Sequence, residues 1–253
     1  MIPNPILKVL STLTTRQVRF LLMGGQACVL YGAAQFSRDV DLAILADDEN
    51  LARLQSALDE LQATVVAVPL FEARHLERGH AVHFRCHHPG AAGLRVDVMS
   101  KMRGVEAFAV LWARRTTVAD ESGCEWDLLS LPDLVLAKKT QRDKDWPMIR
   151  ALVEAHYFSA RENPPAEAVA FWFRELRTPG LLIEAADRFG DQAMRVAADR
   201  PAVAAALAGD LTGTARLLSE EEQQERLLDE AYWKPLKAEL EQLRHSRLGG
   251  DPV

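Results

Sequence analysis

The stretch that most constrains this chain is Phe20-Leu21-Leu22-Met23 followed directly by Gly24-Gly25. Four consecutive apolar residues stopped by a glycine pair read as a short buried strand ending in a sharp turn. A small-residue helix is expected from Gln26 to Tyr31. Strand, glycine turn and helix together form a geometry in which phosphate oxygens can approach main-chain N–H groups. Asp39 to Leu45 then alternates, with Val40, Leu42 and Ile44 on one face and Asp39 and Asp41 on the other. A strand of period two sets those carboxylates side by side.

Further along, Leu51, Leu54, Leu58 and Leu61 recur at helical spacing within Asp48 to Leu61, with Asp47 or Asp48 as N-cap, and Thr64 to Val68 reads as a strand. His80 to Cys86 and Leu94 to Met99 both alternate and flank the turn-rich segment from His88-Pro89-Gly90 to Gly93, so they are expected to pair as a hairpin. In the second of them Leu94, Val96 and Val98 face inward, while Arg95 and Asp97 face the solvent side. Ser130 and Pro132 open a helix that runs to Gln141, and a second helix covers Lys144 to His156. Beyond Asn163-Pro164-Pro165 the chain is rich in Ala, Leu, Glu and Arg. Pro179-Gly180, Pro201 and Gly209 to Gly213 punctuate four or five helices.

The expected fold is therefore α/β in the α+β sense: a mixed, mostly antiparallel sheet flanked by helices, then a helical region. Residues 1–158 form the sheet-bearing domain, 159–248 the helical region for acceptor binding or assembly, and 249–253 a tail. A content of 48% apolar residues supports a substantial core, and a net charge of −6 argues against a broad phosphate-binding surface. Three widely spaced cysteines fit reduced thiols better than a disulfide framework. With no basic-flanked apolar leader and no long uncharged apolar run, the sequence reads as cytoplasmic and without a membrane partner.

Chemistry centres on three aspartates. If the strand of Asp97 neighbours that of Asp39 and Asp41, three carboxylates converge. Two like charges 4 Å apart repel by about 1 kcal/mol in water and about 4 kcal/mol at an intermediate dielectric. Such clustering is therefore unfavourable without a cation, and hard oxygen donors suit a divalent one. A solvated strand edge would explain the Asp39–Asp41 pair alone, and a plain turn would explain Gly24-Gly25 alone. Their combination with Asp97 gives the pattern meaning.

These residues, Gly24-Gly25-Gln26-Ala27, Tyr31-Gly32 and Ser37-Arg38-Asp39-Val40-Asp41-Leu42, resemble the signature of the polymerase-β-like nucleotidyltransferase superfamily, most closely its minimal and AbiEii-type bacterial members. The resemblance covers roughly residues 18 to 100, and the stretch from Leu131-Pro132-Asp133-Leu134 to Asp145 is similar to the helical segment that follows in AbiEii-like members. It implies that Gly24 and Gly25 handle the triphosphate. Asp39, Asp41 and Asp97 would bind Mg²⁺ (or Mn²⁺), with Asp97 completing the site and able to act as base. The implied activity is transfer of a nucleoside monophosphate from a nucleoside triphosphate (NTP) to a hydroxyl of RNA such as a tRNA end, of a protein, or of a small molecule. The alternatives are a toxin–antitoxin component that meets an antitoxin or self-associates, and a non-catalytic nucleotide-binding module. Gly25 stands where many members carry Ser, and Gln35 stands where a basic residue often occurs.

Lys138, Lys139 and Arg142 are candidates for contacting triphosphate or a nucleic-acid acceptor, although the spacing of Lys138 and Arg142 equally describes a solvated helix face. The run His80, His83, Cys86, His87 and His88 raises zinc, but strand alternation turns His80 and Cys86 away from His83 and His87. His83 and Arg85 are better placed beside Asp97. Trp112, Trp146, Trp172 and Trp233 read as packing residues rather than base-stacking platforms.

Overall fold

The computed structural model describes Ile2, residues 4–119 and residues 123–248. The expected tail, 249–253, lies outside these residues. The chain forms α1 (Asn4–Thr15), β1 (Phe20–Met23), α2 (Gly24–Leu30), β2 (Asp39–Ile44), α3 (Asp48–Glu60), β3 (Thr64–Val65), α4 (Ala73–Arg78), β4 (Val82–Arg85), β5 (Arg95–Met99), α5 (Phe108–Ala113), β6 (Thr116–Ala119) and β7 (Glu125–Leu128). It continues through α6 (Leu131–Lys138), α7 (Asp145–Ala160), α8 (Ala166–Glu175), α9 (Pro179–Arg188), α10 (Gly190–Ala197), α11 (Pro201–Leu207) and α12 (Leu211–Leu248). The class is the expected mixed α/β.

Two compact units divide the chain. One comprises the chain up to Leu30, Ala34–Ala137 and the chain from Tyr232 onward; the other comprises Tyr31–Ala33 and Lys138–Ala231. Composition placed a boundary after residue 158, whereas the compact units divide at Lys138. The reason is packing: α7 buries Trp146, Ile149, Leu152, Val153 and Tyr157, and it lies against α8. Its apolar face is satisfied within the helical unit.

The first unit is built on a seven-stranded sheet in the order β3-β4-β5-β2-β1-β7-β6. β1 is wholly buried, as its four apolar residues require, and lies between antiparallel β2 and parallel β7. β2 runs parallel to β5, and β5 is antiparallel to β4. Leu21, Leu22, Val40, Leu42, Ile44, Val96 and Val98 are almost completely buried. Each such side chain contributes about 1.5–3 kcal/mol relative to exposure. Helix α1 adds Ile6, Val9, Leu10 and Leu13, the 3.6-residue stripe of an amphipathic helix. Asp47 caps α3 by accepting the Asn50 N–H at 2.7 Å.

Several expected bounds move. The strand beginning at Thr64 ends at Val65, the two residues that stand in register with Arg85 and Phe84 of β4. Helix α6 stops at Lys138, short of Gln141. Helix α1 and strands β6 and β7 lie where the sequence predicts no element, while five helices, α8 to α12, follow Asn163.

Candidate metal centre

Strand register assembles the carboxylates. Asp41 stands opposite Asp97 across the parallel β2–β5 pair, and Asp39 stands opposite Arg95. Met23 faces Asp41 across β1–β2, which brings the start of α2 to the same place. Asp39, Asp41 and Asp97 can each offer an oxygen with all three atoms within 4.8 Å of one another, and among the described residues they are the group so arranged. The donor set is three hard oxygens from two adjacent strands, which fits a divalent cation such as Mg²⁺ or Mn²⁺.

The glycines are explained by approach distance. Gly24 has φ of +63°, and a Cβ there would stand 1.8 Å from Asp41 Oδ2. Only glycine meets both conditions without displacement. A Cβ on Gly25 would stand 2.6 Å from Ser37 Oγ, and the Gly25 N–H donates to Asp41 Oδ2 at 3.3 Å. The N–H expected to be open for phosphate is thus engaged with a carboxylate. Ser37 in turn donates to Asp39 Oδ1 at 3.0 Å, fixing the first aspartate.

Asp97 corrects the expectation of a solvent-side carboxylate, for it is only 6% exposed. His83 Nδ1 lies 2.8 Å from Asp97 Oδ1, and Arg95 Nε donates to the same oxygen at 2.7 Å. A second Arg95 nitrogen bonds Asp97 Oδ2. Burial pushes the Asp97 carboxyl up, but the hydrogen bonds and charges of Arg95 and His83 outweigh it and hold the group below its usual range. Arg95 is pushed the other way, chiefly by its bond to Asp97, with Asp39 and Asp41 adding to the effect.

The residue beside Asp97 is therefore Arg95, not Arg85, whose guanidinium donates to the Gly93 carbonyl at 3.3 Å. The signal was present: Arg95 and Asp97 are two apart on one strand and share a face. Ser37 had no such signal, since its role depends on how the loop before β2 folds.

Lys138 and Lys139 lie in the helical unit and are largely buried. Lys138 Nζ is 3.5 Å from Asp145, and Lys139 Nζ is 2.8 Å from Glu175. Arg142, in the same unit, donates to Asp145 at 2.7 Å. Of the histidine run, His80 meets Glu239 at 2.8 Å, His87 meets Thr64 at 3.0 Å, and His88 accepts from Gly90 N at 3.0 Å. These residues are engaged separately rather than around one metal. Trp146 and Trp172 are core residues, as expected.

No protein-family profile and no curated protein matches the chain. Among the described residues, no helix is long and apolar enough to cross a membrane.

Proposed function

We propose that this chain is a metal-dependent nucleotidyltransferase of the polymerase-β-like type, moving a nucleoside monophosphate from an NTP to a hydroxyl acceptor. The observation that carries the reading is the convergence of Asp39, Asp41 and Asp97 beside a glycine pair that has no room for side chains. Asp39 and Asp41 would hold Mg²⁺ or Mn²⁺, and Asp97 would complete the set. A divalent cation held there neutralises triphosphate charge and stabilises the leaving pyrophosphate.

The protein's own contributions follow from its bonds. Ser37 and the Gly25 N–H orient the Asp39 and Asp41 carboxylates, and His83 and Arg95 orient that of Asp97. A carboxylate held below its ordinary range is a weak proton acceptor. Asp97 accordingly serves orientation better than proton abstraction. RNA ends, protein hydroxyls and small molecules are the acceptor classes, and the thiols Cys28, Cys86 and Cys124 fit a reducing cytoplasm.

Incubation with each α-³²P-labelled NTP, Mg²⁺ and a cell extract containing RNA and protein tests the proposal. Label transferred to one acceptor by the wild type and lost in Asp39→Asn supports it. Absence of transfer with every NTP overturns it. The grip of Arg95 and His83 on Asp97 favours a second reading, a non-catalytic nucleotide-binding module or toxin–antitoxin component. Metal-dependent NTP binding that survives Asp97→Asn, without transfer, would select that reading.

A further inference from the structure

The carboxylate cluster already contains a cation of its own. Arg95 reaches Asp97 because residues two apart on β5 share a face, and it grips both carboxylate oxygens in the paired geometry that a guanidinium favours. An ionised carboxylate has about four acceptor positions. His83 and the two Arg95 nitrogens fill three of those on Asp97. Asp39 stands opposite Arg95 in the β2–β5 register, and Arg85 stands opposite it in the β4–β5 register. Repulsion from one side and attraction from the other bias the Arg95 guanidinium toward the cluster. The Asp97 side chain is 9% exposed, whereas that of Arg95 is 46% exposed, so solvent reaches the arginine far more readily than the carboxylate it holds.

We infer that Arg95 is a built-in counter-ion that competes with the divalent cation for Asp97 and so sets how tightly the cluster binds metal. Ligation of a cation by Asp97 through Oδ2 alone shares that oxygen with Arg95, and recruitment of both carboxylate oxygens requires a bond from Arg95 or His83 on Oδ1 to give way. Arg95 is a positioning residue in this account, acting on Asp97. The inference rests on the metal-dependent reading above and deepens it. A purely structural arginine would give the opposite result on removal, because a loosened site binds metal less well, not better.

The experiment is Mn²⁺ titration, without nucleotide, of the wild type, Arg95→Gln and Arg95→Lys, read by calorimetry and by the Mn²⁺-induced shift in Tm. Arg95→Gln is expected to bind Mn²⁺ about tenfold more tightly, the size associated with losing charge-assisted hydrogen bonds. Its melting temperature should rise more on Mn²⁺ addition than that of the wild type. Arg95→Lys, which keeps the charge and the strand position but loses the fork, should fall between the two. If Arg95→Gln proves too unstable to titrate, tighter binding by Arg95→Lys than by the wild type carries the same conclusion. Wild-type binding with equal or weaker affinity in both variants overturns this inference alone. Absence of Mn²⁺ binding in all three proteins overturns it together with the metal-dependent reading.

Discussion

In the helical unit, buried charges sit beside their opposites: Lys139 Nζ is 2.8 Å from Glu175, and Arg177 and Arg200 each donate to Glu221 at 2.8 Å. In the sheet unit, Asp39, Asp41 and Asp97 draw together with Arg95 as the guanidinium among them. The first arrangement is internally balanced and serves packing. The second keeps an excess of negative charge at a place that glycines hold open, which is costly unless a cation completes it. The direction in which stability moves when a charge is removed distinguishes the two regions.

The largest effect should come from the balanced region. Lys139→Met leaves Glu175 buried without its closest cation, and loss of one partner from a buried pair costs about 3–5 kcal/mol. Urea unfolding measures it, and a cost below about 1 kcal/mol, the level of an exposed pair, would show that the network is effectively solvated. Next is Gly24→Ala, where a left-handed backbone costs about 1–2 kcal/mol and the new Cβ would also collide with Asp41. Gly32→Ala is its control: φ is +76° but nothing lies within 4 Å of the new Cβ, so the backbone cost stands alone. Equal losses at the two positions would refute the close approach of Asp41. Asp39→Asn should have the opposite sign, stabilising the metal-free protein by about 1 kcal/mol through relief of like-charge repulsion. Destabilisation there would show that the cluster is already balanced.

The smallest effect is one of pH. His156 accepts the Trp172 indole N–H at 2.9 Å on Nδ1, and burial holds its pKa below the ordinary 6.5. The folded state therefore favours neutral His156, and the unfolded chain takes up the proton first as pH falls. Its contribution is complete above pH 6.5 and declines as pH drops through that value toward the depressed one. His156→Gln should flatten this part of the stability profile. Asp97 behaves at a lower pH, because its depressed pKa makes its contribution complete above the ordinary 3.8 and lost as pH falls through the folded value.

Much of the sheet core was legible because period and turn chemistry are local. Phe20–Met23, the alternation from Asp39 and the β4–β5 hairpin all lie close to where their residues predict. The convergence of Asp39, Asp41 and Asp97 was legible once the β2 and β5 strands were taken as neighbours. The burial of Asp97 was not, since it depends on which side chains lie over it from β4 and β5. Strands β6 and β7 escaped because Thr116–Ala119 lacks a clean apolar alternation, Glu125–Leu128 alternates over four residues only, and the parallel β1–β7 contact is long-range. Lys138 and Lys139 looked like a basic helix face; Asp145 lies near enough in sequence to be read as a local ion-pair partner, but Glu175 reaches Lys139 only through tertiary packing.

The central claim is that the aspartate cluster is a cation site, and Mn²⁺ binding measured by electron paramagnetic resonance tests it most directly. The wild type should show one saturable class of bound Mn²⁺, and the Asp39→Asn/Asp41→Asn double variant, folded by circular dichroism, should lose it. Equal Mn²⁺ binding by the two proteins, or none by the wild type, would contradict the account.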